Sequence, residues 1–94
     1  MKNEVIEVKH LSGDQWTVSV HGNVLTHHRV RVTKADLERF SEGQPTEKLL
    51  AESFRFLLER ESNTSILGSF DLPVIGRYFP EYEEEIRARL RRSG

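Results

Sequence analysis

Four histidines are the residues of this chain best suited to acid–base or metal chemistry, and all lie in its first third. His27 and His28 are adjacent, so on a strand they point to opposite faces and cannot easily bind one metal together. His21 and one of that pair could meet across a hairpin, with His10 or Glu7 nearby. Zinc needs three or four ligands, and neither an H-E-x-x-H motif nor a Cys/His spacing is present. We therefore expect no metal site, one histidine half-buried at the sheet rim, and the others solvated.

Other catalytic signatures are missing from the sequence. It contains no G-x-S-x-G motif, no phosphate-cradling glycine loop and no cysteine nucleophile. Asp71 and Glu81 are too scattered to propose as a general acid–base pair. The sequence thus predicts neither enzymatic activity nor a cofactor.

Cationic side chains are expected together on one face of the predicted sheet. If the valines at positions 30 and 32 face the core, the arginines beside them project from the open face. The candidate nucleic-acid-binding residues are Lys9, His27, Arg29 and Arg31. A sheet can enter a DNA groove and read it with arginines, and Thr17 and Ser19 would add contacts. Against this, Glu7 shares the face, the net charge is −1, and arginines also protect an edge strand from unwanted pairing.

Aromatic residues are concentrated between positions 70 and 82, and aromatic clusters are typical of interface cores. The candidates for partner binding are Tyr78, Phe79 and Tyr82. In a domain this small most rings must belong to the core, so we expect Phe70 and Phe79 to be buried. Either Tyr78 or Tyr82 is then partly exposed, and the patch would bind a protein partner or a second copy of the chain.

The hydrophobic period changes at Thr33, and this change predicts the architecture. Before it, apolar and polar residues alternate, which predicts strands over residues 4–10 and 15–21 and a third strand ending at Thr33. After it, apolar residues recur at helical spacing. The predicted fold is α+β: a three-stranded antiparallel meander in order 1-2-3, followed by three to four helices packed on one face.

The third strand presents a conflict of register. A two-residue turn at Gly22-Asn23 would place Val20 opposite Leu25 and send the odd positions of the strand to the core. Its apolar residues further along are at even positions, and a slip of one residue turns every side chain over. We therefore predict a β-bulge or irregular stretch within residues 26–28. The alternative is a longer loop, with the strand starting only near His27.

Two helices are expected in the middle of the chain. Thr33 and Asp36 fit a capping pattern, which predicts a short helix. The main helix is predicted over Thr46–Glu61, with Thr46 as its cap. Its apolar residues cover an arc of roughly 200°, which is wide enough to contact the sheet on one flank and another helix on the other.

The last third of the sequence predicts one or two further helices. Asp71 could cap a short helix that runs to Tyr78, and Pro80 favours a new helix start. Acidic residues precede arginines in the final segment, which suits the helix dipole. Two i, i+4 ion pairs are expected there, Glu83–Arg87 and Glu85–Arg89.

Composition limits the function classes. The 94 residues predict one domain, with a sheet half at 1–33 and a helical half at 34–94. The sheet half has four Lys/Arg against three Asp/Glu and the helical half ten against twelve, so neither is the strongly basic body of a general nucleic-acid binder. Cysteine is absent, which favours a reducing compartment. Because neither a signal peptide nor a membrane-spanning run is visible, we expect a cytoplasmic protein.

The expected core collects the apolar residues of both halves. They are Ile6, Val8, Trp16, Val18, Val20, Val30, Val32, Phe40, Leu50, Phe54, Leu57, Leu58, Ile75, Ile86 and Leu90. Many unrelated small domains share this order of elements, so the fold says little about function. We expect a protein-interaction or regulatory module that acts through the aromatic region or by pairing an exposed sheet edge with a partner strand. Nucleic-acid binding through the open face is the alternative.

Overall fold

The first third of the chain folds as a sheet and most of the remainder is helical, as the change of period predicts. The computed structural model describes residues 5–93, so Glu4 of the predicted first strand lies outside the described residues. The strands are β1 (Val5–Ser12), β2 (Gln15–His21), β3 (Leu25–Arg31) and β4 (Ser69–Asp71). The helices are α1 (Lys34–Phe40), α2 (Thr46–Leu58), α3 (Val74–Tyr78) and α4 (Tyr82–Ser93), with a 3-10 turn at Asn63–Ser65. No helix among residues 5–93 is long and apolar enough to cross a membrane.

The sheet has four strands in the order β1-β2-β3-β4. Its first three strands form the predicted antiparallel meander. The fourth strand is an addition to the prediction: β4 runs parallel to β3, with Asp71 opposite Arg31. Asp71 therefore belongs to a strand, and the helix cap predicted for it is wrong. Helix α3 begins after Pro73 without any side-chain cap.

The register of β3 is regular, and the bulge predicted within residues 26–28 is wrong. The hairpin loop has three residues, 22–24, so that His21 lies opposite Leu25 and Val20 opposite Thr26. This extra loop residue places the even positions of β3 on the core side without any break in the ladder. The irregularity of the sheet lies instead in β1, between His10 and Ser12.

The core lies between the even-numbered face of the sheet and the helices. Its buried apolar residues are Val18, Val20, Val30, Val32, Phe40, Leu49, Leu50, Phe54, Phe56, Leu57, Ile66, Leu72, Ile75, Tyr82, Ile86 and Leu90. The predicted core residues Ile6, Val8, Trp16 and Leu58 pack against this cluster but are only partly buried. Val30 and Val32 are inside, so the expectation on which the open face depends is confirmed.

Local signals account for the start of α1 but not for that of α2. Thr33 Oγ1 accepts a hydrogen bond from the amide of Asp36, whose carboxylate accepts one from the amide of Thr33, as the capping pattern predicts. Helix α2 starts after Pro45 without a side-chain cap, so the cap expected from Thr46 is wrong, and the helix ends at Leu58 rather than Glu61. The wide apolar arc of α2 is explained by its two neighbours, since α2 contacts both β1 and α4.

Candidate functional site

Odd-numbered residues of β1, β2 and β3 form one face of the sheet, and those of β1 and β3 are exposed. We call this the open face. Lys9 lies opposite Thr17, Thr17 opposite Arg29, and Arg29 opposite Ser69. These four residues, one from each strand, are called the cationic row. The pleat of the sheet thus brings Lys9 and Arg29 to either side of one hydroxyl group.

The cations of the open face differ in their surroundings. Lys9 and Arg29 form no ion pair with any residue from 5 to 93. Arg31 has its Nε 3.9 Å from Asp14 Oδ2 and lies opposite Asp71, so carboxylates flank it. The charges of Lys9 and Arg29 are therefore the ones available to a ligand.

His27 completes the set of side chains predicted for nucleic-acid binding, and it shares the open face with the other three. Its Nδ1 lies 2.9 Å from Ser19 Oγ. Beside it the surface forms a shallow polar depression at one end of the cationic row, lined by Thr17, His27, His28, Arg29, Gly68 and Ser69. The structure brings the predicted residues to one face, and it adds Ser69, which the missed strand β4 supplies.

An apolar group occupies the opposite end of the open face. Val5 and Leu25 both lie opposite His21, and we call these three residues the apolar row. Val5 is 54% exposed and Leu25 is 49% exposed. His21 donates from Nε2 to Glu7 Oε1 at 3.1 Å. The open face is thus apolar at one end and cationic towards the other.

The remaining histidine contacts do not form a ligand cluster. His10 donates from Nε2 to the carbonyl oxygen of Gly13 at 2.8 Å, and its ring lies against Trp16. His21 contacts Glu7 on the neighbouring strand β1, and it does not contact His27 on β3. In the stretch from residue 5 to residue 93, no three His, Cys, Asp or Glu side chains are grouped so as to hold a metal ion.

His28 is buried, with 2% of its surface exposed, where the sequence predicts a histidine half-buried at the rim. Its Nδ1 donates to the carbonyl oxygen of Leu67 at 2.8 Å, so Nε2, 2.9 Å from Thr26 Oγ1, accepts from that hydroxyl in the neutral ring. Thr26 Oγ1 in turn accepts from Asn63 Nδ2 at 2.9 Å. This polar network joins β3 to the segment before β4. His28 occupies an even position of β3, as the buried Val30 does, and this shared parity was the signal for its burial.

Tyr82 cannot contact a partner, and its assignment to the partner-binding group is wrong. It is fully buried, and its hydroxyl lies 2.7 Å from Ser53 Oγ. Ser53 donates its one proton to the carbonyl oxygen of Leu49, so Tyr82 is the donor in their shared bond. Burial raises the pKa of Tyr82, which keeps the hydroxyl neutral. The ring contacts Phe40 of α1 and Phe56 of α2. Tyr82 shares the helical spacing of the buried Ile86 and Leu90, and that spacing was the signal for its burial.

Tyr78 and Phe79 line a groove between the end of α2, the segment before β4, and α3. The groove is an open depression with an enclosed volume of about 30 Å³. Its lining residues are Leu57, Glu61, Ile66, Leu67, Phe70, Val74, Ile75, Tyr78 and Phe79. Tyr78 is 65% exposed and Leu67 is 46% exposed, whereas Phe70 and Phe79 are half-buried rather than buried as predicted. We call this the α2–α3 groove.

The charged side chains of the helical half are largely paired with one another. Both predicted pairs of α4 form, with Glu83–Arg87 at 3.3 Å and Glu85–Arg89 at 3.0 Å. Longer-range pairs connect the helices: Arg39–Glu83 at 2.7 Å, Arg87–Glu42 at 2.9 Å, Arg89–Glu59 at 2.6 Å and Arg60–Glu81 at 3.1 Å. Salt bridges therefore hold α4 to α1 and to the end of α2.

These pairs change the acidity of the groups concerned. A hydrogen bond from Arg89 lowers the pKa of Glu59, and one from Arg39 lowers the pKa of Glu83. The hydrogen bond to Glu42 raises the pKa of Arg87. These shifts stabilise Glu59, Glu83 and Arg87 in their charged forms, and the opposite charges of this surface neutralise one another.

Comparison with known proteins adds no assignment to these surfaces. No family model, no curated protein and no solved structure matches this chain.

Proposed function

We propose that this chain is a protein-interaction module whose partner binds in the α2–α3 groove. The observation that carries the proposal is the exposure of Tyr78 and Leu67 beside the half-buried rings of Phe70 and Phe79. Tyrosine is enriched at protein interfaces because it combines a large apolar area with a hydroxyl group and few rotatable bonds. Exposed apolar residues next to one another are typical of a docking surface.

The shape and charge of the groove support a protein segment as its occupant. The groove is open to solvent, and its enclosed volume of about 30 Å³ is far below the ~300–1,000 Å³ of pockets that enclose small molecules. Glu61 lines it and forms no ion pair with a residue of the described range. The occupant we propose is a segment that inserts an apolar side chain and carries a lysine or arginine beside it. Such a module would have a regulatory rather than a catalytic role.

The location we propose is the cytoplasm, because the chain has no cysteine and so makes no use of the disulfides common in small secreted domains. A second copy of this chain is the other occupant to be tested. It could use the groove or could pair along β1, which lies at one edge of the sheet.

Selection from a displayed library of random peptides tests the groove. We expect the enriched peptides to combine an apolar residue with a neighbouring lysine or arginine, and to lose binding to Tyr78→Ala and to Leu67→Ala. Leu11→Ala is the matched control, since Leu11 is an exposed apolar residue on β1 outside the groove. Selected peptides that bind all three variants equally would contradict the proposal. Sedimentation that shows a dimer abolished by Tyr78→Ala would assign the groove to a second copy.

Nucleic-acid binding is the second candidate, favoured by the placement of Lys9, His27, Arg29 and Arg31 on one face. Two features count against it. Glu7 and Asp71 share the face, and no Phe, Tyr or Trp occupies an odd position of the described strands for stacking on bases.

An electrophoretic mobility titration against salt tests this candidate. Retention of an oligonucleotide should fall steeply as salt rises, because binding to phosphates releases counterions. The double variant Arg29→Glu, Arg31→Glu should abolish it. Retention that survives both changes would exclude the open face as a nucleic-acid site.

A further inference from the structure

We propose that the cationic row binds the phosphate group of a phosphorylated segment of a partner protein. The inference stands apart from the function proposed above, because the cationic row and the α2–α3 groove share no residue. Its basis is the placement of two cations that form no ion pair within residues 5–93, Lys9 and Arg29, on either side of the hydroxyl of Thr17.

The spacing of the cationic row fits a single oxyanion. Lys9 and Arg29 are both neighbours of Thr17, so their backbones are about 10 Å apart, twice the separation of adjacent strands. Lysine and arginine side chains are long enough to converge on one anion held above Thr17. Arginine presents a planar set of donors to phosphate and lysine adds a point charge, while the hydroxyl of Thr17 between them adds a further donor.

The charges around the row favour one compact anion over a continuous polyanion. Glu7 lies two residues from Lys9 along β1, on the same face, and its carboxylate binds His21. Two residues along in the other direction, Asp71 lies opposite Arg31, and Asp14 is 3.9 Å from the same guanidinium. A nucleic-acid strand following the sheet would carry its next phosphates towards these carboxylates, at about 7 Å on either side. A phosphate monoester places its whole charge between them.

The apolar row favours a protein segment as the carrier of the phosphate. Val5 and Leu25 lie four residues along the strands from Lys9 and Arg29, at about 13 Å on the same face. An extended peptide spans that distance with four residues, and its side chains at those two positions point the same way. A ligand that covers both rows therefore carries an apolar side chain four residues from its phosphorylated one.

Amide chemical shifts of the 15N-labelled chain test the inference, with three probes titrated separately. They are inorganic phosphate, the capped peptide Leu-Gly-Ser-Gly-phosphoserine, and the same peptide without the phosphate. We expect inorganic phosphate to shift the amides of Thr17 and Arg29, and the phosphopeptide to bind more tightly and also to shift Val5 and Leu25. The unphosphorylated peptide should leave the cationic row unshifted.

Substitutions identify the groups that hold the phosphate. Lys9→Ala and Arg29→Ala should each weaken phosphopeptide binding about tenfold, the loss of one charge-assisted hydrogen bond. Arg77→Ala is the matched control, since Arg77 is exposed on α3 and has no ion pair within the described part of the chain; it should leave affinity unchanged.

Three results would overturn the inference. The first is equal binding of the two peptides, which would remove the phosphate from recognition. The second is binding of phosphopeptide no tighter than that of inorganic phosphate, with Val5 and Leu25 unshifted, which would remove the protein segment. The third is a single-stranded oligonucleotide that binds more tightly than the phosphopeptide and shifts the open face from end to end, which would assign the face to nucleic acid.

Discussion

The helical layer and the open face of the sheet both carry arginines, but they use them differently. Arg89 is 13% exposed at its side chain and contacts the carboxylates of both Glu59 and Glu85. Arg29 is exposed and contacts no carboxylate of residues 5–93. Charge in the helical layer therefore joins helices to one another, whereas Lys9 and Arg29 of the cationic row form no ion pair within residues 5–93 and, as we propose, bind a ligand.

The largest contrast between the two regions should appear when an apolar side chain is removed from each. Phe56 is fully buried, contacts the rings of Phe79 and Tyr82, and has the guanidinium of Arg60 3.7 Å from its ring centre. Phe56→Ala should lower the free energy of unfolding by about 3–5 kcal/mol, measured in urea. Leu25→Ala on the open face should change it by no more than about 0.5 kcal/mol. Equal losses of unfolding free energy in the two variants would show that Leu25 is packed as tightly as Phe56 and that the open face is not open.

Replacing threonine by valine on each face of the sheet compares the contribution of a hydroxyl on the core side with that of a hydroxyl on the open face. Thr26→Val removes the hydroxyl that joins His28 to Asn63 and leaves the buried Nε2 of His28 without its partner, whereas Asn63 Nδ2 keeps the carbonyl oxygen of Val24. We expect it to lower the free energy of unfolding by about 1–3 kcal/mol. Thr17→Val is its control on the open face, where water replaces the lost hydroxyl and the change should stay within about 0.5 kcal/mol. A control that destabilises as much as Thr26→Val would place Thr17 in the core network.

Acid should weaken the salt bridges of the helical layer. Arginine hydrogen bonds hold the pKa of Glu59 and of Glu83 below the ordinary value of 4.5. A carboxylate whose pKa is lower in the folded chain stabilises the fold fully above about pH 4.5, and this contribution is lost as pH falls towards the folded pKa. The melting temperature should therefore fall between pH 5 and pH 3, and Glu59→Gln with Glu83→Gln should flatten that fall. An unchanged pH profile in the double variant would show that these pairs do not stabilise the folded state.

Local patterns in the sequence predicted those parts of the fold that depend on near neighbours. Strict alternation gives β2 its bounds, and the Thr33–Asp36 box starts α1 as expected. The predicted register of β3 was wrong because the loop after His21 has three residues and not two. Composition does not reveal this difference of one residue. Strand β4 was missed because its three residues are ordered by β3, 40 positions away in sequence at Arg29 and Ser69.

The candidate site shows the same division between local and distant causes. Arg29 and Arg31 face outwards as predicted, because the alternation with Val30 and Val32 is local. Tyr82 was one of the candidates for partner binding, but it is buried and its hydroxyl bonds to Ser53 on another helix. The periodic pattern places His28 and Tyr82 on buried faces, but the distant groups that bond to their polar atoms, Leu67 and Ser53, leave no local signal.

Removing the charge of Arg89 should destabilise the fold, whereas removing the charges of Lys9 and Arg29 should not. Urea unfolding of Arg89→Ala and of the double variant Lys9→Ala, Arg29→Ala tests this claim most directly. We expect Arg89→Ala to lower the free energy of unfolding by about 1–2 kcal/mol, because Glu59 and Glu85 lose a shared partner. The double variant should stay within about 0.5 kcal/mol of the original chain. A double variant that loses as much stability as Arg89→Ala would contradict the account, because the cationic row would then serve the fold.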